Sequence, residues 1–330
     1  MDFDGDGVLD LVSGSYDPGE LSLFRGKGRG AFAAREVIKD KSGKPILKVP
    51  DQKNRVESFG SWMTLVDWED DGDLDILVGT FDGMIFMRRN EGTRSSPSYA
   101  TGNEWVKVGA KALRTPGGEH ANPVIADWDG DGHWDIVTGA ADGGVYWYRN
   151  IGERGRPTFE PPVALVAKHE GTGYSELAAD GEPKPGIRSQ IAVTDYDGDG
   201  KLDILLGDFC TYLHVRKDLT PEQKRAFAGI REKENKATKF LHDSMEELRA
   251  KFKEEMKGAP QSDWNTPENS AKFRKMHKAM QDAPEYQKNM AEAERMDKES
   301  LEYIDRSIVG KRLGYEPAIA HAYVWLFRRK

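Results

Sequence analysis

Asp195-Tyr196-Asp197-Gly198-Asp199-Gly200-Lys201-Leu202-Asp203, followed by Ile204-Leu205-Leu206-Gly207, is the stretch that decides the fold. It occurs four times. Asp127-Trp128-Asp129-Gly130-Asp131-Gly132-His133-Trp134-Asp135 runs into Ile136-Val137-Thr138-Gly139 in the same way. Asp67-Trp68-Glu69-Asp70-Asp71-Gly72-Asp73-Leu74-Asp75 differs by one acid and one lost glycine, and Asp2-Phe3-Asp4-Gly5-Asp6-Gly7-Val8-Leu9-Asp10 opens the chain. The copies begin at residues 2, 67, 127 and 195, so the period is sixty-odd residues. Self-similarity at a steady period means a repeat architecture.

Acids at loop positions one, three, five and nine repel one another. Two unit charges ~4 Å apart cost about 4 kcal/mol near a protein surface. A hard divalent cation removes that cost, because Ca²⁺ takes six to eight oxygens. The expected ligands are Asp2, Asp4, Asp6, Val8 and Asp10; Asp67, Glu69, Asp71, Asp73 and Asp75; Asp127, Asp129, Asp131, His133 and Asp135; and Asp195, Asp197, Asp199, Lys201 and Asp203. Position seven offers its carbonyl, and the glycine at position six allows the sharp turn. The competing reading is a plain Asx-turn hairpin. An EF-hand is excluded: position twelve is Ser13, Val78, Thr138 or Leu206 rather than glutamate, and a short apolar run ending in Gly follows each loop. Each loop therefore belongs to a β-hairpin.

These acidic loops between short strands resemble the FG-GAP/VCBS repeats of integrin-alpha-type β-propellers. The segments Asn90-Glu91-Gly92…Pro97-Ser98-Tyr99 and Asn150-Ile151-Gly152…Pro157-Thr158-Phe159 resemble the outer part of such repeats. The resemblance covers residues 1–217 and the last dozen. It implies a mainly β protein, a propeller of four-stranded blades in which calcium braces each blade rather than performing chemistry. Four repeats, the first without its leading strand, leave the ring open or require residues before Met1, so the N-terminus reads as truncated.

Within each repeat a strand leads into the loop (Trp62–Val66, Pro123–Ala126, Gln190–Thr194), a second leaves it, and an Asp-Gly turn follows at 82–83 and 142–143. A third strand is expected at Met84–Arg89 and Val145–Arg149, and a fourth beginning near Tyr99 and Phe159. Residues 218–310 depart from this pattern. Their Glu, Lys, Ala, Met and Gln content and the starts at Thr220-Pro221, Thr266-Pro267 and Ala283-Pro284 predict helices over 221–257, 267–281 and 284–307. Phe227, Ile230, Phe240, Leu241, Met245 and Leu248 form an apolar stripe. Ala322–Arg328 resembles the third strand of repeat three, so 218–310 reads as a helical insertion into the last blade, with 1–217 and 311–330 forming the blades. Tyr212–Val215 is the alternative third strand.

The net charge of −8 lies outside the helices, since residues 219–310 hold 18 acidic and 18 basic side chains. The acidity is ligand charge. No basic face or reader motif suggests nucleic acid, and no apolar run reaches the ~20 residues of a membrane span. Cys210 is the one cysteine. Loops that need abundant calcium point to an extracellular, cell-surface or periplasmic protein.

The loops between strands one and two lie at one end of the blades. The long connectors at 39–59, 109–121 and 167–188 lie at the other, and long loops on a rigid scaffold carry binding. A glycan or protein ligand at that end would meet Trp62, His120, Asn122, Tyr174, Arg188 and Gln190. The bland readings are that Trp62 packs between blades, His120 is an ordinary loop residue and Arg188 pairs with an acid. The rival class is a polysaccharide lyase or hydrolase using the same end. No Ser-His-Asp signature, HExxH or phosphate loop supports it.

Overall fold

The computed structural model describes residues 1–48, 60–153, 155–170, 176–177, 185–213, 215–257, 267–305, 318–321 and 323–329. Tyr174, Thr266, Ala322, residues 306–310 and parts of the connectors at 39–59 and 167–188 lie outside them. The chain divides into two units, Met1–Tyr212 with Ala320–Lys330, and Leu213–Ile319.

Repeat one forms an antiparallel sheet of β1 (Leu11–Gly14), β2 (Leu21–Phe24) and β3 (Glu36–Val37). Repeat two forms β4 (Ser61–Val66), β5 (Asp75–Thr80), β6 (Ile85–Arg88) and β7 (Glu104–Trp105), in that spatial order. A small hairpin, β8 (Lys107–Val108) with β9 (Lys111–Ala112), follows, its second strand inside the connector expected at 109–121. Repeat three is a meander of β10 (Asn122–Ala126), β11 (Asp135–Gly139), β12 (Val145–Tyr148) and β13 (Val163–Val166). In repeat four β14 (Glu176–Leu177), β15 (Ile187–Thr194) and β16 (Asp203–Leu213) precede the helices, and β17 (Ala318–His321) and β18 (Val324–Phe327) follow them; β17 and β18 both pair with β16.

One register runs through all four repeats. The glycine that closes each motif pairs with the first residue of strand three: Gly14 with Leu21, Gly79 with Ile85, Gly139 with Val145, Gly207 with Val324. Tyr212–Val215 is thus not the third strand, since β16 runs on through Leu213 and β18 takes that place. The fourth strand also differs from expectation. It starts at Glu104 and Val163, not at Tyr99 and Phe159. Those two rings are buried, and their backbones bridge Asn90 and Asn150.

The apolar runs after the motifs have a physical reason. All six residues of β5 and all five of β11 are buried. Successive side chains point to opposite faces, and each face meets another sheet. Ile76 and Val78 pack with Leu21, Leu23 and Ile46 of repeat one, whereas Leu77 packs with Ile136 and Tyr146 of repeat three. Val137 and Val145 in turn meet Ile204, Leu206 and Trp325. A strand buried on both sides reads as a near-continuous apolar run, broken here only by hydrogen-bonded or small polar residues such as Asp75, Thr80, Asp135 and Thr138, and each buried Leu, Ile or Val contributes about 1.5–3 kcal/mol.

The closing glycines allow this stacking. A Cβ on Gly14 would lie 1.8 Å from Ser61 O, on Gly79 2.1 Å from Ala121 O, and on Gly139 2.2 Å from Ser189 O. At the same points the next repeat donates an amide: Ser61 N–H to Ser15 O at 3.2 Å, Ala121 to Thr80 at 3.1 Å, Ser189 to Ala140 at 3.0 Å.

The second unit is helical. α1 (Pro221–Glu255) starts with a capping box, in which the Thr220 hydroxyl accepts from Gln223 N–H at 3.2 Å and the Gln223 side chain accepts from Thr220 N–H at 2.9 Å. α2 spans Pro267–Gln281 and α3 Pro284–Ser300, followed by a single 3₁₀ turn at Leu301–Tyr303, so the third helix is shorter than its composition predicts. Phe227 of α1 stacks on Tyr303 at 5.2 Å, and Phe252 meets Phe273 edge-on. Of the expected stripe, Phe227 and Leu248 are buried; Ile230, Phe240, Leu241 and Met245 are half-buried.

Candidate functional site

Each acidic loop is wound by its own backbone. The position-one carboxylate accepts amides from across the turn: Asp2 from Gly5 (2.8 Å) and Gly7 (3.1 Å), Asp67 from Asp71 (3.0 Å) and Gly72 (2.9 Å), Asp127 from Gly132 (3.0 Å), Asp195 from Gly198 (2.8 Å) and Gly200 (3.0 Å). Position five accepts the amide of position seven: Val8 donates to Asp6 at 2.8 Å, Asp73 to Asp71 at 3.1 Å, His133 to Asp131 at 3.0 Å and Lys201 to Asp199 at 2.8 Å. Positions four and six have left-handed backbone, with φ of 77 and 85° at Gly198 and Gly200. Asp70 takes the same conformation at φ 61° in place of glycine, which Asp tolerates better than most side chains.

Positions one, three and five converge in three loops. Asp2, Asp4 and Asp6, Asp127, Asp129 and Asp131, and Asp195, Asp197 and Asp199 each bring one carboxylate oxygen per residue within 4.8 Å of the others. Oδ1 of Asp127 is buried and accepts no hydrogen bond from the described residues. An all-oxygen donor set with a buried lone pair to spare suits a hard cation. No such trio forms among the described residues of the second loop, where the longer Glu69 replaces aspartate at position three and pairs with Arg89. Its remaining acids crowd instead. Burial first, then the charges of Asp71, Asp75 and Asp67, push the Asp73 carboxyl up to about 6. Asp75 is also pushed up to about 6, by burial before the charges of Asp71 and Asp67.

Position nine has a second role that the spacing did not reveal. Asp10, Asp75, Asp135 and Asp203 are all buried. One oxygen of Asp135 accepts from Trp128 N–H at 3.1 Å within the loop, and the other from Asn150 N–H at 2.7 Å, just beyond strand three. Asp10 does the same with Phe3 (2.8 Å) and Gly26 (2.7 Å), and Asp203 with Tyr196 (3.1 Å) and Arg329 (2.9 Å). The loop is thereby tied to the sheet of its own repeat. Asn90 and Asn150 extend the bracing outward: each side-chain oxygen accepts from Gly92 and Ser98, or from Gly152 and Thr158, at 2.8–3.1 Å.

At the other end of the same strands, five of the six expected contact residues come together. The His120 ring lies 5.3 Å from Trp62 and 4.4 Å from Phe81, and Tyr16 meets Phe81 edge-on at 6.0 Å. Asn122 Nδ2 donates to Gln190 Oε1 at 3.0 Å, and Asn122 Oδ1 accepts from Ile191 N–H at 3.0 Å. Arg188 lies over the Phe209 ring at 5.7 Å. An open depression of about 330 Å³ is lined here by Ser13, Tyr16, Trp62, Met63 and Asn122. His120 lies in a loop, as expected, and is buried there. That burial, followed by the charge of Arg188, pulls its imidazole down to about 4, so it is neutral at pH 7.

A further regularity escaped the sequence reading. Gly60, His120 and Arg188 stand at equivalent points, each donating its amide back to the preceding repeat: to Tyr16 O (2.8 Å), Phe81 O (2.8 Å) and Ala141 O (3.0 Å). All three are left-handed, with φ of 64, 54 and 58°. Glycine takes that conformation freely; His and Arg hold it at a cost of about 1 kcal/mol or more. The only sequence signal was that Gly60 stands where the other repeats carry large polar residues.

Residues 67–138 and 127–206 match the FG-GAP-like repeat family, each match running from one acidic loop through the next. No curated protein matches the chain.

Proposed function

We propose that the chain, whose residues 67–138 and 127–206 match the FG-GAP-like repeat family, is a calcium-braced interaction scaffold, extracytoplasmic, that takes a glycan or protein segment at the strand end around Trp62, Asn122 and Gln190. The acidic loops hold the cation. Asp2, Asp4 and Asp6, with their counterparts in repeats three and four, supply side-chain oxygens, and the bound ion offsets the repulsion that these acids impose on the folded chain. The position-nine carboxylates transmit that order to the blade through the end of strand three. No described helix is long and apolar enough to cross a membrane. Residues 218–310 are an insertion between strands two and three of the last blade. The register of β18 on β16, equal to that of β12 on β11, supports this.

The observation that carries the binding reading is the open depression lined by Tyr16, Trp62 and Asn122, with the left-handed His120 packed against its Trp62 ring. Strain kept where glycine would relieve it marks side chains retained for another purpose. Trp62 and Tyr16 offer ring faces, while Asn122 and Gln190 offer an amide pair that can exchange its mutual hydrogen bond for a ligand's hydroxyl or peptide groups. A glycan array and a peptide array probed with the full chain in Ca²⁺ test the reading. The expected result is a defined set of ligands, lost in Tyr16→Ala and Gln190→Ala proteins whose melting is unchanged. Retention of every ligand by both variants would sink it.

A further inference from the structure

In all four repeats the residue just past strand three is an arginine, and in all four it reaches the position-three acid of its own loop. Arg25 pairs with Asp4, Arg89 with Glu69, Arg149 with Asp129 and Arg328 with Asp197. The register leaves little choice. Strand three pairs with strand two in one alignment throughout, and the amide following each arginine is fixed on the position-nine carboxylate, at 2.7 Å for Gly26, Asn90 and Asn150 and 2.9 Å for Arg329. The arginine side chain is thus delivered to the loop by the same hydrogen bond that braces it.

A guanidinium is always charged and offers only donors, so it cannot ligate a cation. It and a divalent ion claim the same position-three oxygens and repel each other. We propose that Arg25, Arg149 and Arg328, which lie beside the three converging trios, are built-in countercharges that compete with the cation, and that the strength of each grip sets the order in which those three loops fill. The idea rests on the calcium reading above. Arg149 faces two carboxylates: Nη2 donates to Asp131 at 3.1 Å, and Nε stands 2.6 Å from Asp129 as an ion pair without hydrogen-bond alignment. Arg328 reaches one, Asp197, at 3.5 Å, with its side chain 60% exposed. The loop at 195–203 therefore fills at lower calcium than the loop at 127–135. Without the ion, the arginines offset some of the carboxylate repulsion and keep the loops wound.

Isothermal titration of the full chain with CaCl₂ after removal of metal by chelator tests this, comparing the unchanged protein with Arg149→Gln and Arg328→Gln. The expected result is that Arg149→Gln tightens the weakest class of sites by about fivefold, the modest gain of releasing an exposed ion pair. Arg328→Gln should tighten its loop by less. In chelator the Arg149→Gln protein should melt below the unchanged one, and in saturating calcium the gap should close. Should Arg149→Gln fail to fold, Arg149→Lys, which keeps the charge but loses the two-oxygen grip, should lie between the two. If the unchanged protein binds calcium and the arginine variants bind equally or more weakly, the arginines are braces and the proposal is overturned. If the unchanged protein takes up no calcium, both the proposal and the calcium reading fail.

Discussion

The motif glycines give a prediction that separates packing from turn chemistry. Gly139 and Gly207 occupy the same position in consecutive repeats and pair with strand three in the same register. A Cβ on Gly139 would lie 2.2 Å from Ser189 O, whereas on Gly207 its nearest neighbour is Gln190 O at 3.6 Å. An ordinary carbon–oxygen contact is about 3.3–3.6 Å, so Gly139→Ala must push the facing backbones apart by roughly 1 Å. That overpacking costs about 1–3 kcal/mol. The 3.0 Å bond from Ser189 N–H to Ala140 O is stretched with it, adding about 1 kcal/mol. The lost chain entropy of glycine returns only about 0.4–1 kcal/mol. The net loss is about 1–3.5 kcal/mol, or a fall of about 2–14 °C in the melting of a unit this size. Gly207→Ala keeps the entropic gain without the clash, so its midpoint should hold or rise slightly. Tryptophan-fluorescence melts of the two variants in calcium provide the assay. Equal shifts would refute the stacking argument.

Three further outcomes follow from the same geometry. His120 is neutral when folded, with its pKa near 4 against about 6.5 unfolded. Its contribution is complete above pH 6.5 and is lost as pH falls toward 4, because only the unfolded chain takes the proton there, a loss of about 3 kcal/mol. In urea titrations across that window, His120→Asn, which accepts the left-handed backbone, should flatten the share of the slope due to the imidazole; an unchanged slope would clear His120 of the role. Asp135→Ala strips the acceptor from the buried amides of Trp128 and Asn150, so it should cost about 2–5 kcal/mol by urea denaturation, with Asp135→Asn milder. Thr220→Ala removes the capping box of α1, costing about 1 kcal/mol, and should appear as faster amide exchange in the first turn of that helix alone.

The period, the hairpin loops and the helices were legible in the sequence because each rests on local chemistry. Carboxylate spacing, an apolar run and a Thr-Pro start all act within a few residues. The fourth strands were misplaced because Tyr99 and Phe159 look like strand residues yet serve as core plugs held by Asn90 and Asn150. What sequence spacing could not show was contact across the repeat. The double use of Asp135 depends on a strand three that returns fifteen residues later, and the pairing of Arg149 with the position-three acid depends on that same register. The gathering of Trp62, His120, Asn122 and Gln190 came from strand order, which fixes which ends meet, but the burial of His120 depends on Phe81 and Trp62, contributed by the preceding repeat.

The central claim is that a cation completes these loops, and a thermal melt in millimolar Ca²⁺ against excess chelator tests it most directly. Ligand at about 100 times its dissociation constant adds roughly 2.7 kcal/mol per site offered only by the folded chain. Three converging trios of carboxylates should therefore raise the midpoint by many degrees, and magnesium should do so far less. Coincident melts in calcium and chelator would mean that the loops are turns, and would contradict both the metal assignment and the extracytoplasmic placement drawn from it.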